Sequence, residues 1–386
     1  MRRGPLAGVR VLELAGIGPG PFAAMLLADL GADVVRVDRP EPGAPLLGDP
    51  SRDLLNRGKR SIIVDLKHPD GADVVLSLAE RSAILIEGWR PGVAERLGLG
   101  PEAALERNPA LVYGRMTGWG QDGPLAHAAG HDIGYIAVAG ALHPVGPADG
   151  PPQIPLNLVG DFGGGALYLV VGCLAALHVA RSTGRGQVVD AAIVDGTAHL
   201  TTVFAGLLAG GAWRAERGRN LLDGGAPFYS VYATADGGHM AVGALEPQFY
   251  AELPRLLGLA GAGLPAQDDV RGWPALRARF AAVFATRTRD EWTDLFEGTD
   301  ACVAPVLSLA EAQHHPHLVA RGTFEDHAGV RQPAVAPRLS YTPGAVGGPP
   351  PAPGAHTEAV LAEWGLGAHA RHWLDSAAAG RTREEP

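Results

Sequence analysis

Cysteine is scarce in this chain: there are two, Cys173 and Cys302, far apart in sequence. Such spacing excludes a disulfide framework and any zinc-binding motif, and no metal is expected. Methionine is nearly as rare, confined to Met1, Met25, Met116 and Met240. No dense run of lysine or arginine occurs, and the formal net charge is −9. A nucleic-acid or anionic-membrane surface is therefore not expected, although a few placed arginines can still receive an anionic ligand. The opening stretch "MRRGPLAGVRVLELAG" lacks an unbroken apolar core followed by a cleavage site, so it does not read as a signal peptide. The longest apolar run, "ALYLVVGCLAALHVA", has 15 residues, fewer than the roughly 20 that span a bilayer. It reads as a buried helix rather than a membrane insertion, and the expected compartment is the cytoplasm. No internal repeat is visible.

What is present describes a globular protein. Hydrophobic residues make up 46% of the 386 and charged residues 19%, enough for two domains and a sizeable core. The first half alternates strand-like segments (9–14, 33–38, 61–66, 84–88, 110–116) with helix-like ones (20–31, 69–82). Repeated βα units with Val/Ile/Leu-rich strands predict an α/β fold with a parallel, doubly wound sheet. From 161 to about 210 the pattern is helical, interrupted at 187–196. A hairpin is expected over 228–244 around Asp236-Gly237-Gly238, then helices at 247–258, 273–286 and 289–297 and a strand at 302–307. The domains expected are a large one over 1–200, a linker at 201–223, a smaller α/β domain at 224–325, and a segment, 326–386, returning to the large domain. The proline-rich 342–354 should be extended, Thr357 should cap a terminal helix, and the last ten residues should fray.

"VLELAGIGPGPFAAMLLADLGADVVRVDR" imitates a dinucleotide site, with a strand, Gly16, Gly18 and Gly20, a helix, a second strand and Asp38 at its end. The glycine spacing is wrong, however, and Pro19 and Pro21 remove two N–H groups from the turn that would cradle a pyrophosphate. A tight βα turn with proline at the helix start, or a loop receiving a different adenine nucleotide, reads better. No nicotinamide cofactor is expected.

In "LNLVGDFGGGALYL" (156–169) a single charged residue, Asp161, sits among apolar, amide and glycine neighbours. A carboxylate there loses hydration unless something replaces the water. Taken alone, Asp161 is a helix cap, His131 a polar loop residue, Glu246 a strand end before Pro247, and Arg39 and Arg90 surface charges.

Several blocks together resemble CoA-transferase family III: "GVRVLELAGIGPGPFAAMLLADLGADVVRVDRP", "NRGKRSIIVDLK" (56–67), "LIEGWRPGVAERLGLG" (85–100) and "MTGWGQDGP" (116–124). Within the family, "GHDIGYIAVAGALH" (130–143) and "PLNLVGDFGGGALYL" (155–169) resemble the branch that racemises 2-methylacyl-CoA thioesters. The resemblance continues through "GQVVDAAIVDG", "LDGGAPFY" and "VGALEPQFY" to "HTEAVLAEWG", covering most of the chain. It implies a Rossmann-like large domain built from both chain ends, a smaller inserted domain, and a homodimer of interlocked rings. It also implies a 2-methylacyl-CoA substrate epimerised at its α-carbon without cofactor or metal. By resemblance His131 and Asp161 are the acid/base pair and Glu246 a supporting carboxylate. Ile17 in the 16–20 turn, Arg39 and Arg90 would meet the CoA. Relatives carry a methionine-rich surface for the acyl chain; this chain departs, and a wall of Leu, Val and Phe is expected instead.

The chemistry suits these residues. Moving a proton between the two faces of one carbon requires a group on each side, and the enolate oxygen between them must be stabilised. An imidazole changes charge near neutrality, and a carboxyl can be tuned by its surroundings. If "DFGGG" opens the apolar helix, free amides near Asp161 and Gly163 would receive that oxygen. The competing reading within the family is a CoA-transferase whose Asp161 attacks the thioester. A silent CoA-binding protein is a third.

Overall fold

Buried Val, Ile and Leu dominate six short strands that form one parallel sheet in a computed structural model describing residues 3–41 and 48–367. These are β1 (Arg10–Leu14), β2 (Asp33–Asp38), β3 (Arg60–Ile63), β4 (Ile84–Glu87), β5 (Val112–Thr117) and β6 (Gln187–Ala192), in the order β3-β2-β1-β4-β5-β6. β1 lies at the centre, pairing Arg10 with Asp33 of β2 and Val11 with Ile84 of β4. Helices cover both faces. Pro19–Asp29 and Leu167–Thr183 pack with Val11, Val34, Ile84 and Ile86 on one side. Gly71–Ala79, Pro101–Arg107 and Thr357–Glu363 pack with Leu12, Val35, Ile62 and Leu85 on the other. This is the expected doubly wound architecture, and all five predicted strands of the first half are present.

The described residues divide into two compact units: 3–41, 48–139, 156–200 and 320–367 form one, and 140–155 with 201–319 the other. The expected fraying of 377–386 lies outside the described residues. In the first unit the returning segment 320–367 is bound deep into the sheet domain. His356 and Thr357 receive the Ser61 and Ile63 amides of β3, each at 3.2 Å. Arg57, buried, donates to Asp29 Oδ2 at 2.6 Å and to Gln332 Oε1 at 2.7 Å. Thr357 is not the cap: His356 holds that position without a side-chain bond, and the threonine hydroxyl is engaged with Ile63 and Gly354. An unforeseen hairpin, β10 (Phe324–His327) with β11 (Val330–Pro333), opens the segment.

The second unit is built on an antiparallel sheet of β7 (Tyr229–Ala233), β8 (His239–Gly243) and β9 (Val303–Pro305). The hairpin falls where the sequence places it; Gly237, at φ 79°, supplies the left-handed residue the turn requires. Its core is aromatic: Tyr232 stacks on Phe284 at 5.0 Å, and Trp292 packs against the same ring. The stretch 201–223 contains a helix, Thr202–Ala209, and a loop whose Gly218 and Asn220 amides donate to Asp223, as does that of Gly225 just beyond it.

The apolar helix differs from expectation. A π-helical segment, Leu158–Ala166, runs directly into Leu167–Thr183, giving 26 continuous residues rather than 15. By length and composition that run suffices to cross a membrane. The same two criteria are met by core helices of soluble proteins, and one face of this helix is buried by Leu169, Val170, Cys173, Ala176 and Leu177, against β5 and β6. Leu167, Val171 and Val179 on the other face are exposed. The glycines of "DFGGG" do not open a helix; they sit within one.

Candidate active site

In an open parallel sheet of this order, ligands lie at the carboxyl ends of the strands, where connections leave β1 and β4 in opposite directions. The turns there are Ala15–Gly18 after β1 and Gly88–Arg90 after β4. A hollow at these ends is lined by Leu14, Ala15, Val37, Asp38, Arg39, Val64, Leu66 and Trp89. Trp89 is held in place: its backbone N–H donates to Glu87 Oε2 at 2.8 Å and its indole to the Ala15 carbonyl at 3.3 Å. Glu87, fully buried, is in turn gripped by Arg115 Nε at 2.9 Å. Arg39 is exposed at the rim. The hollow is too small to enclose a nucleotide; what it marks is the strand-end surface on which Trp89 and Arg39 stand. Asp38 does not behave as a ribose acceptor; Arg36 and Ser61 donate to its two oxygens at 2.9 and 2.6 Å.

The β1 turn is braced from below by a buried ion pair. Lys59 Nζ lies 2.6 Å from Glu13 Oε2 and donates to the Pro21 carbonyl at 3.0 Å, the first turn of helix Pro19–Asp29. Ile17 projects outward, 63% exposed. Gly18 has φ 68° and ψ −118°, and a Cβ there would come within 3.3 Å of Asp161 Oδ2. The turn therefore needs glycine for its backbone and for closeness to the carboxylate.

Asp161 stands in the first turn of the π-helix, three residues inside its start and without a capping role. Such segments are rare and cluster at functional sites. Their i+5 register gives the Gly163 amide an acceptor inside the helix, the Leu158 carbonyl, so the free row of amides expected at 163–165 does not exist. Phe162 stacks on Phe22 of the β1-turn helix, centroids 4.5 Å apart, fastening the two elements together. Asn157 donates to Asp161 Oδ2 at 3.2 Å. Burial raises the Asp161 carboxyl above its ordinary range; the Asn157 bond opposes this, the neighbouring Asp132 charge adds to it, and His131 opposes it.

His131 caps the helix Asp132–Val138 with extended backbone, and its side chain is exposed. It lies within electrostatic reach of Asp161. Next to it, Asp132 is buried, and its Oδ1 accepts the Asp161 N–H at 2.7 Å. Tyr135, on the same helix, has its hydroxyl raised by burial, with Asp161 and the exposed Arg90 both close enough to act on it. The structure thus gathers His131, Asp161, the Ile17–Gly18 turn and Arg90 on one side of the sheet domain, with Arg39 at the strand ends. Glu246 belongs to the second unit, exposed at the start of helix Pro247–Leu256. No cluster of three or more metal-ligating side chains occurs among the described residues. Met25, Met116 and Met240 are all buried in cores, so none of them offers an acyl surface.

A Rossmann-type parallel sheet with His131 and Asp161 close together beside the β1 turn defines the class. Residues 6–357 match the model of CoA-transferase family III, and the chain belongs to that family. It is 48% identical over 94% of its length to the alpha-methylacyl-CoA racemase of Mus musculus, covering 93% of that protein. The Homo sapiens protein of the same name is 48% identical over 96% of each chain. Among solved structures, a CAIB/BAIF family protein from Brucella suis superposes with a TM-score of 0.81 at 27% identity, covering 94% of this chain and all of that one.

Proposed function

We propose that this chain racemises 2-methylacyl-CoA thioesters. The observation that carries the reading is the pairing of an exposed imidazole, His131, with a half-buried carboxyl, Asp161, on two packed helices beside the β1 turn. One of the pair takes the α-proton as the C–H electrons pass into the enolate. The other returns a proton to the opposite face, so configuration is lost and no redox change occurs. The Asp161, Phe162 and Gly163 amides are all engaged within the protein, so none of them is assigned to the enolate oxygen; the strand-end surface beside Trp89 is assigned to the adenine, and Ile17, Arg39 and Arg90 to the phosphates and pantetheine arm. Glu246 is assigned a supporting role. The racemase name of two relatives alike over almost the whole chain supports the substrate class.

The same reading includes a homodimer and excludes membrane insertion. The bare Leu167, Val171 and Val179 face suits a second copy of the chain better than lipid, because the opposite face is built into the sheet. Two free cysteines agree with a reducing cytoplasm.

Incubation with a single-configuration 2-methylacyl-CoA in heavy water, without acceptor acid, tests the activity. α-Deuterium with loss of configuration is expected, falling by about 10²–10⁴-fold in His131→Ala and Asp161→Asn. CoA exchange only when a carboxylic acid is added, through a thioester on Asp161, would identify a transferase instead. Unchanged deuteration in both variants would refute the residue assignment.

A further inference from the structure

Asp132 follows His131 directly and is only 7% exposed. An acidic residue in the first turn of a helix ordinarily serves that helix, through its free amides or its dipole. Here the carboxylate turns away. No side-chain bond caps the 132–138 helix, and Oδ1 instead accepts the Asp161 N–H at 2.7 Å. The Gly160 amide bears on the same carboxylate. A Cβ at Gly160 would collide with Asp132 Oδ1 and sit 2.8 Å from Ile136 Cγ2, so glycine at 160 is what lets these two side chains pack directly on the π-helix backbone. Oδ2 is buried with no hydrogen-bond partner among the described residues. The carboxylate is thus an acceptor facing two consecutive backbone donors, Gly160 and Asp161.

We propose that Asp132 is a positioning residue for the proton exchange, its carboxylate fastening the Asp161 backbone to the first turn of the helix that His131 caps. One side chain then fixes the span between the two groups that must face each other across the α-carbon. The charge has a second effect. Asp161 is surrounded by Asn157, Asp132 and His131, with the Tyr135 hydroxyl and Arg90 beyond; burial raises its carboxyl most, and the Asp132 charge, whose own carboxyl burial also raises, adds to that and favours the protonated form of Asp161. That form is the acid needed to return a proton in one direction of the reaction. The inference rests on the racemase reading.

The test compares wild type, Asp132→Asn and Asp132→Ala for α-deuterium incorporation from each enantiomer. kcat and KM are followed across the pH range in which each protein stays folded by circular dichroism. Asp132→Ala is expected to lower kcat about 100-fold while KM moves less than about threefold, since a misplacement near 1 Å has that effect on a reacting geometry. Asp132→Asn keeps an acceptor for the Asp161 amide and should return to within about tenfold of wild type. Its acid limb, for the enantiomer whose α-hydrogen faces Asp161, should move to lower pH because the neighbouring charge is gone. A wild-type kcat in Asp132→Ala, a KM rising in step with the lost rate, or an asparagine variant no better than alanine would overturn the proposal. If Asp132→Ala does not fold, the limb of Asp132→Asn decides: a shift supports the assignment and a fixed limb refutes it. A wild type without exchange would refute the racemase reading itself and this inference with it. Exchange that is indifferent to both substitutions refutes only the role of Asp132.

Discussion

Replacing Lys59 by methionine removes the cation beneath the β1 turn and leaves its partner in place. Lys59 and Glu13 side chains are 0% and 1% exposed, with Nζ and Oε2 2.6 Å apart. At an effective dielectric constant of about 20 the attraction at that distance is about 6 kcal/mol, partly offset by the desolvation of both ions. Breaking such a pair by removing one member typically costs about 3–5 kcal/mol, because the survivor is buried without compensation. Arg36 Nη1, 3.7 Å from Glu13 Oε1, remains to soften the loss, so about 3 kcal/mol is expected for Lys59→Met. The Pro21 carbonyl also loses its donor, which should loosen the Gly18 turn and raise KM for an acyl-CoA. Chemical denaturation of wild type, Lys59→Met, Glu13→Leu and the double variant forms a cycle. The double variant should lie within about 1 kcal/mol of wild type, because an apolar pair of similar volume can replace a buried ion pair at little cost. A single Lys59→Met as stable as wild type, or single losses that simply add in the double variant, would refute this account of the ion pair.

Three further outcomes follow from the site. Asp161 has its carboxyl raised by burial, so in the folded state its ionised form is disfavoured at neutral pH and the penalty disappears once both folded and unfolded chains are protonated. Asp161→Asn should therefore unfold at higher temperature than wild type near neutral pH, with the gain shrinking as pH falls through the folded-state value; a gain that is constant with pH would contradict it. Trp89 lines the hollow, so titration with CoA should change indole fluorescence. Trp89→Phe should abolish that signal, and Arg39→Ala should weaken binding about tenfold, as expected for loss of one charge-assisted phosphate contact of about 1.4 kcal/mol. An unchanged signal in Trp89→Phe would place the adenine elsewhere.

The sheet was readable because its strands carry their signal locally. β1, β2 and β4 are short apolar runs bounded by glycine, proline or charge, and the predicted 33–38 coincides with Asp33–Asp38. The hairpin after 228 announced itself through Asp-Gly-Gly. The apolar helix was misjudged for the opposite reason: glycines after an aspartate read as a helix start, whereas packing against the 132–138 and 193–200 helices holds them in a wider, π-helical turn. Thr357 was misassigned because its hydroxyl found a β3 amide distant in sequence, a competition that no local pattern displays. Of the site, His131 and Asp161 came from the resemblance, not from spacing. Asp132, Trp89, Val64, Leu66 and Asn157 were missed. "GHD" did offer a signal for Asp132, a second acid beside the histidine, but only coordinates reveal that it reaches across to residue 161.

Ribosomes deliver a protein from one end, and the outer strand of this six-stranded sheet waits for segments made 294 and 295 residues later. Ser61 and Ile63 find their bonding partners at residues 356 and 357, and Arg57 finds Gln332. During synthesis the antiparallel unit, complete by residue 319, can mature while the β3 flank is still bare. Nascent chains stalled between those points would present that flank to chaperones, and a premature stop codon late in the message would be far more damaging than its position suggests.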